Sequence, residues 1–197
     1  MAVILIHGPA GSYKSASIVA KHIIPALREG RVVVTNVEGM YPKKIIEQNL
    51  GEKFPWSAQL IRIDSTTKDK QELWRNWFSW MPFKAMVVMD EIQEIYPIEF
   101  KAELQLRPFH EFESCLPDKL IACYKSTNKS IKITDFDEGD FDDTGETRFN
   151  DDGSIIRPLT LNGAYKRHRK YNWDIVVGTP NIDEVSKKIR GVAEKAF

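Results

Sequence analysis

A small-residue loop near the amino terminus carries the residue types best suited to chemistry. It approaches the pattern of glycine, four residues, then Gly-Lys-Ser/Thr. In that pattern, backbone N–H groups surround phosphates, the lysine neutralises them, and the hydroxyl coordinates Mg²⁺. The pattern therefore predicts a site for ATP and Mg²⁺. Its predicted binding residues are Gly8, Pro9, Ala10, Gly11, Ser12, Tyr13, Lys14 and Ser15.

Tyr13 departs from this pattern, because it occupies the position of the second glycine. A side chain there either costs about 1 kcal/mol or more of backbone strain or must point away from the phosphates. An alternative interpretation is a strand, a turn and a helix with a chance Lys-Ser pair. The placement between a buried strand and a helix favours the phosphate site. We expect the tyrosine ring to turn away from it.

An acidic pair follows the apolar run "AMVVM" and provides a second element of the same chemistry. Asp90 is predicted to hold Mg²⁺ together with Ser15. Glu91 is predicted to orient and polarise the water that attacks the γ-phosphate, with Lys14 as the other catalytic group. The alternative is an acidic helix cap after a core strand.

Thr179 is a third catalytic candidate, at the end of the run "WDIVVGTP". A polar side chain at a strand tip could sense the γ-phosphate or the attacking water. The alternative is a turn residue before Pro180.

Alternating apolar runs and helical patterns must position these residues. Strands are predicted at 2–6, 31–37, 58–64, 84–91 and 173–180, and helices at 15–27, 41–49, 68–80, 163–172 and 181–197. The strand-helix-strand spacing implies right-handed crossovers and a parallel sheet. The fold class is therefore α/β: a single domain over 1–197 with a mainly parallel sheet flanked by helices.

The stretch at about 98–160 is predicted to be an insertion after the acidic pair. No long periodic segment is evident over about 93–160, and residues 135–152 carry nine acidic side chains and one basic side chain. The segment "TRFNDDGSIIRP" has an Asp-Gly turn between β-formers, which predicts a hairpin.

Composition excludes several function classes. Twenty-eight basic residues balance 28 acidic ones, so no global field indicates a nucleic-acid or membrane binder. Two cysteines favour a reducing compartment. No signal peptide is evident, and no apolar run approaches the roughly 18 residues that span a bilayer. We expect a soluble, cytoplasmic domain.

A basic run at 166–170, "KRHRK", leaves several functions open. It could contact single-stranded DNA, anionic lipid, or a neighbouring subunit's phosphate, or it could be a solvated helix end. Few stacking aromatic residues surround it, so single-stranded DNA is weakly supported. In a ring-forming ATPase, Arg107, Arg167 and Arg169 would be the candidates to act on a neighbour.

An apolar helix face is predicted by the stretch "LWRNWFSWM". Trp74, Trp77, Phe78 and Met81 recur at helical spacing, which favours core packing. A subunit contact or a membrane-facing surface is the alternative.

Four segments in order resemble a known family: "HGPAGSYKS", "GRVVVTNVEG", "VVMDEIQEIYP" and "KRHRKYNWDIVVGTP". Together they are similar to the N-terminal domain of the zonular occludens toxin (Zot) family, which is related to the assembly ATPases of filamentous phage. The resemblance is thin over about 98–160. It implies a RecA-like P-loop NTPase core.

The resemblance also implies roles for individual residues. Lys14 and Ser15 match the Walker A pair, and Asp90 and Glu91 match the Walker B pair. The remaining matches are Thr179 as strand-tip sensor and His168 with Arg169 as a basic segment. The sequence departs from the family at two positions. Tyr13 replaces the loop glycine, and Pro180 stands where family members commonly have a glutamine.

The function implied is Mg·ATP binding and hydrolysis in the assembly and export of filamentous phage. Implied partners are phage or inner-membrane assembly proteins and further copies of the chain in a ring. The full-length protein is expected to be anchored at the inner membrane through a later segment, and no toxin activity is assigned to these residues. The alternative is a degenerate P-loop domain that serves as a nucleotide-responsive docking module. A small-molecule kinase is disfavoured, because the long insertion is acidic and not a basic lid.

Overall fold

A computed structural model of the chain describes residues 3–9, 11–130, 150, 155–193 and 195–196. Within them, six parallel strands form one sheet in the order β3-β2-β4-β5-β1-β6. The strands are β1 (Val3–His7), β2 (Val32–Thr35), β3 (Gln59–Arg62), β4 (Met86–Met89), β5 (Asp174–Thr179) and β6 (Lys195–Ala196). Helices flank this sheet, so the predicted α/β class is confirmed.

The central strands are apolar because both of their faces are covered. All four residues of β4 are buried, and in β5 every residue after Asp174 is buried. Such continuous runs of Val, Ile and Met are typical of parallel strands between two helical layers. β5 lies between β4 and β1, so the carboxyl end of β5 separates the loop after β1 from the acidic pair after β4.

The helices occupy most of the predicted positions. Helix α1 covers residues 14–28, and the others are α2 (Lys43–Leu50), α3 (Lys68–Arg75), α4 (Trp77–Trp80), α5 (Ile92–Ile95), α6 (Asp118–Ser130), α7 (Leu161–Lys166) and α8 (Lys187–Arg190). Short 3₁₀ turns lie at Phe109–Glu111, Glu113–Cys115, His168–Tyr171 and Ile182–Glu184.

Helix α1 contains a π turn at Val19–Ile23, and Pro25 follows after Ile24. Proline lacks an N–H group, and in a regular helix its ring meets the carbonyl group four residues earlier. The N–H of Ile24 instead reaches back to the Val19 carbonyl, which is the wider spacing of a π turn. The π turn therefore lets α1 continue through the proline.

An aromatic cluster forms much of the larger core. Trp74, Trp77, Phe78 and Met81 are fully buried, so the prediction of core packing is confirmed. The rings of Trp77 and Trp173 meet edge to face with centroids 4.9 Å apart. The predicted single helix is divided at Asn76, whose side-chain amide donates to the Glu72 carbonyl.

The predicted carboxyl-terminal helix over 181–197 is wrong. Helix α8 covers only Lys187–Arg190, and β6 then pairs with β1 through Ile4–Lys195 and Leu5–Ala196. Backbone pairing on the open side of β1 satisfies hydrogen bonds that an edge strand leaves exposed. This tertiary pairing overrides the local helical pattern. The basic helix predicted at 163–172 also divides, into α7 and a 3₁₀ turn.

The expectation that 93–160 lacks a long periodic segment is also wrong, since α6 has 13 residues. The acidic stretch 135–152, apart from Asn150, and the Asp-Gly turn of the hairpin predicted over 147–158 lie outside the described residues. Arg157 joins the described parts of this stretch to the core, because its guanidinium lies 4.4 Å from the Phe83 ring centroid and 4.3 Å from that of Tyr124. It donates to the Phe78 and Met81 carbonyl groups at 3.0 and 2.9 Å. Burial lowers the pKa of Arg157 to about 10.

None of the helices in the described part of the chain combines the length and apolar character needed to cross a membrane.

Candidate active site

The loop after β1 has two residues in the left-handed conformation. Gly11 has φ 78°, and Tyr13 has φ 59° and ψ 26°. The Ser12 N–H, between these two residues, donates to the Pro9 carbonyl at 3.2 Å. The Tyr13 carbonyl accepts the first hydrogen bond of α1, from the Ser17 N–H, at 2.8 Å. The loop therefore turns tightly into the start of the helix. Ala10 lies outside the described residues.

Tyr13 combines both consequences expected of a side chain at this position. Its backbone is in the left-handed region, where a non-glycine residue is strained. Its side chain points into solvent, since 83% of the residue is exposed. The ring therefore leaves the inside of the loop open.

The Lys14 ammonium group folds back onto the loop. Its Nζ donates to the carbonyl oxygens of Gly8 and Pro9 at 2.6 and 2.9 Å. These contacts hold a positive charge beside the backbone that would surround a phosphate. An anion entering the loop would compete with the two carbonyl groups for the same ammonium.

Ser15 and Asp90 meet although 75 positions separate them in the sequence. The Ser15 hydroxyl, in the first turn of α1, donates to Oδ2 of Asp90, directly after β4. A hydroxyl and one carboxylate are oxygen ligands that suit Mg²⁺, which commonly completes its shell with phosphate oxygens and waters. Among the described residues, no group of three or more His, Cys, Asp or Glu could hold a metal ion. A hydroxyl paired with one carboxylate fits an Mg²⁺ ion whose other ligands are phosphate oxygens and waters.

Asn36 holds the backbone at Asp90, a role that sequence reasoning missed. Its Oδ1 accepts from the Asp90 N–H at 2.6 Å, and its Nδ2 donates to the Asp90 carbonyl at 2.8 Å. Nδ2 also donates to the Ser65 hydroxyl at 2.8 Å. The buried amide thus extends the pairing of β2 with β4 by one position. A polar residue directly after the run "RVVVT" was the available signal.

Gly178 makes room for the Asp90 carboxylate, and this role was missed too. A Cβ atom at this position would lie 2.4 Å from Oδ1 of Asp90 and 2.9 Å from Cδ1 of Ile18. Both distances are shorter than a contact allows. A glycine inside a strand pattern often marks such a close approach, which was the signal in the sequence.

Glu91 caps α5 in a left-handed conformation, with φ 50° and ψ 47°. Its N–H donates to Oδ1 of Asp90 at 3.1 Å. Its exposed carboxylate accepts a hydrogen bond at Oε2 from the Gln93 side-chain amide at 2.6 Å. The turn therefore directs two consecutive carboxylates to the same edge of the sheet.

A cavity of about 340 Å³ brings these groups together. It is lined by Ser15, Asn36, Glu38, Ser65, Thr66, Asp90, Glu91 and Glu94. The described lining residues include four carboxylates and neither lysine nor arginine. Burial, followed by the charges of Glu91 and Glu38, raises the pKa of Glu94. The negative charge of these carboxylates favours a ligand that carries a cation.

Thr179 lies at the same edge, paired with His7 where β5 meets β1. It is fully buried, and its hydroxyl donates to the Asn181 carbonyl at 2.9 Å. The hydroxyl also accepts from the Asn181 N–H at 3.3 Å. These bonds belong to a local turn, and the sensor role of Thr179 stays a prediction.

The basic residues that could contact a neighbouring subunit or DNA lie in different parts of the structure. Arg107 pairs with Glu111 at 2.6 Å and lies over the Phe112 ring. His168 is buried, with Nδ1 2.7 Å from the Tyr165 carbonyl, whereas Arg169 is exposed. The basic run is therefore interrupted by an interior residue and does not form one continuous face.

A larger cavity, of about 760 Å³, lies at the opposite edge of the sheet. Its lining includes Val32 and Gln59, where β2 and β3 begin, and Lys84, just before β4. None of the predicted site residues lines it.

The parallel sheet, the loop after β1 and the acidic pair after β4 define the P-loop NTPase fold class. Within that class, the family model described as Zonular occludens toxin (Zot) matches residues 2–197. The chain therefore belongs to the Zot family.

Relatives and solved structures are similar over the whole chain. The Zona occludens toxin of Vibrio cholerae serotype O1 is 24% identical over 197 residues, which are 100% of this chain and 39% of the relative. The chain thus spans well under half the length of that protein. Among solved structures, the N-terminal domain of zonular occludens toxin from Neisseria meningitidis is 17% identical, with a TM-score of 0.42, over 100% of this chain and 76% of that one. The genome packaging NTPase B204 of Sulfolobus turreted icosahedral virus 2, in complex with ATP-gammaS, is 10% identical, with a TM-score of 0.48, over 100% and 74% of the two chains.

Proposed function

We propose that this chain is an ATP-binding and ATP-hydrolysing domain that acts in the assembly and export of filamentous phage. The observation that carries the proposal is the contact between Ser15 and Asp90, with Glu91 lining the same cavity. These side chains come from separate elements of the fold. Their convergence beside a glycine-containing loop matches the needs of phosphoryl transfer to water.

Each of these residues has a separate role in the proposed reaction. The 8–15 loop binds the phosphates through its backbone N–H groups, and Lys14 exchanges the Gly8 and Pro9 carbonyl oxygens for phosphate oxygens. Ser15 and Asp90 would hold Mg²⁺, which would neutralise charge on the phosphates. Glu91 accepts a hydrogen bond from the attacking water.

The reaction is an in-line displacement. The water oxygen forms a bond to the γ-phosphorus, and the bond from the γ-phosphorus to its bridging oxygen breaks. ADP and inorganic phosphate leave, and the proton of the water is released with the products.

Membership of the Zot family supports the biological role. The partners proposed are phage or inner-membrane assembly proteins, with the whole protein anchored at the inner membrane. A homo-oligomeric ring would supply a basic residue that the described cavity lining lacks, and Arg107, Arg167 and Arg169 are the candidates. Single-stranded DNA is a weaker candidate partner, because the basic run is interrupted at the buried His168.

A nucleotide-responsive docking module is the second candidate. It is favoured by the Lys14 ammonium, which is already satisfied by two loop carbonyl groups, and by the strained Tyr13. Both features oppose tight binding of nucleotide and fast hydrolysis. A domain that binds nucleotide weakly and hydrolyses it slowly or not at all could still change its protein partners when nucleotide binds.

Nucleotide titration and phosphate release distinguish the two candidates. For the ATPase, Lys14→Ala should weaken Mg·ATP binding, and Glu91→Gln should bind but not turn over. A wild type that binds without turnover would favour the docking module. Absence of Mg-dependent nucleotide binding by the wild type would contradict both.

A further inference from the structure

Gln93 makes one contact with the proposed machinery. Its Nε2 donates to Oε2 of Glu91 at 2.6 Å, the short distance of a hydrogen bond to a charged acceptor. Its Oε1 is buried and has no hydrogen-bond partner among the described residues. A buried amide carbonyl without a partner is unfavourable, so the placement of Gln93 is not the best one for stability.

The helix that carries Gln93 is held in place by other groups. Ile92, Ile95 and Tyr96 are fully buried. The Arg75 guanidinium donates to the Ile95 carbonyl at 2.7 Å and so closes the carboxyl end of α5. The contact between Gln93 and Glu91 is therefore not needed to anchor α5.

The Glu91 carboxylate, in contrast, needs something to hold it. It is exposed, and its backbone is in the strained left-handed region. It shares a cavity with the carboxylates of Glu38 and Glu94. Burial, followed by the charges of Glu91 and Glu38, raises the pKa of Glu94. Without a donor, repulsion would push an exposed side chain into solvent and away from the cavity.

We propose that Gln93 is a positioning residue that holds the Glu91 carboxylate in the cavity and fixes its plane. Donation to Oε2 leaves Oε1 as the acceptor for the attacking water. Gln93 itself touches neither nucleotide nor water in this role. The inference rests on the proposed ATPase function and adds a residue to it.

Gln93→Met tests the proposal, because methionine keeps the length of the side chain and removes the donor. Phosphate release at saturating ATP should fall about tenfold, the scale of one lost hydrogen bond to a charged group. The Kd for Mg·ATP should stay within about twofold, because Gln93 does not touch the ligand. The melting temperature should be unchanged or higher, because the unpartnered carbonyl is removed as well.

Matched variants separate positioning from a structural role. Gln71→Met makes the same change in a half-buried glutamine of α3 and should leave turnover unchanged. Gln93→Lys retains a donor and should retain more turnover than Gln93→Met. A drop in melting temperature that accounts for the lost activity would overturn the positioning role.

A resonance measurement tests the contact without turnover. The side-chain amide signal of Gln93 in ¹⁵N-labelled protein should shift in Glu91→Ala, and an unchanged signal would overturn the proposal. If wild type turns over, Glu91→Gln does not and Gln93→Met matches wild type, the positioning role fails and the ATPase stands. If the wild type shows no Mg-dependent nucleotide binding, both fail.

Discussion

Tyr13 shows how a single residue can depart from a motif without removing its geometry. Lys14 and Ser15 still begin α1, and Ser15 still reaches Asp90. The cost lies in the backbone of Tyr13, which adopts a conformation that glycine adopts freely. The ring itself is in solvent and takes no space inside the loop.

Two substitutions at this residue distinguish the effect of backbone strain on stability from the effect of losing the ring. Tyr13→Gly should be more stable than Tyr13→Ala by about 1 kcal/mol, because alanine keeps the left-handed strain and glycine does not. Urea denaturation of the two variants measures the difference. Equal stability, or a more stable alanine variant, would mean that the loop changes its backbone to suit the residue.

At the scale of elements, Asp90 is positioned by its neighbours in the sheet. Asn36 after β2 holds its backbone, and Gly178 in β5 leaves space for its carboxylate. Sequence patterns predicted β2, β4 and β5, because buried parallel strands are continuous apolar runs. The patterns did not predict that one position of β5 must lack a side chain, since that depends on the order of the strands.

Gly178→Ala tests this arrangement. The added methyl group should displace the Asp90 carboxylate from Ser15 and weaken Mg-dependent nucleotide binding at least about tenfold. It should also lower the free energy of unfolding by about 1–3 kcal/mol through overpacking. Isothermal titration and urea denaturation measure the two effects.

A second substitution checks the cause. Asp90→Ala removes one of the two groups that the methyl group would meet, so Gly178→Ala should cost less stability in that background. The same stability loss in both backgrounds would assign the clash to Ile18 instead.

The predictions of secondary structure were wrong where tertiary contacts decide which element forms. A helical pattern after Pro180 gave way to β6, since pairing with β1 satisfies an open edge. Helix α6 was missed because its periodicity is weak, yet Leu120 is fully buried in the core and Tyr124 lies against Arg157. Neither contact can be inferred from local spacing.

At the scale of the whole molecule, the proposed site and helix α6 lie at opposite edges of the sheet. The loop, the acidic pair and Thr179 gather at the carboxyl edge, where ligands bind in open α/β sheets. Helix α6 lies against the other edge, since Cys123 and Thr127 line the large cavity with Lys84. Helix α6 therefore supports the fold at the edge of the sheet opposite the proposed site.

Arg157 is the residue through which this support can be measured. Arg157→Met keeps an unbranched apolar stem but removes the guanidinium between Phe83 and Tyr124 and leaves the Phe78 and Met81 carbonyl groups without their donor. The free energy of unfolding should fall by about 3 kcal/mol, because buried acceptors lose a charged partner.

The matched control is Arg28→Met, which removes a solvent-exposed pair with Glu52 and should change stability by no more than about 0.5 kcal/mol. Both variants should bind Mg·ATP with the Kd of the wild type, because Arg157 and Arg28 lie outside the cavity that holds Asp90. Urea denaturation and nucleotide titration give the two quantities. A loss of nucleotide affinity in folded Arg157→Met would instead show that the support at one edge of the sheet is coupled to the site at the other.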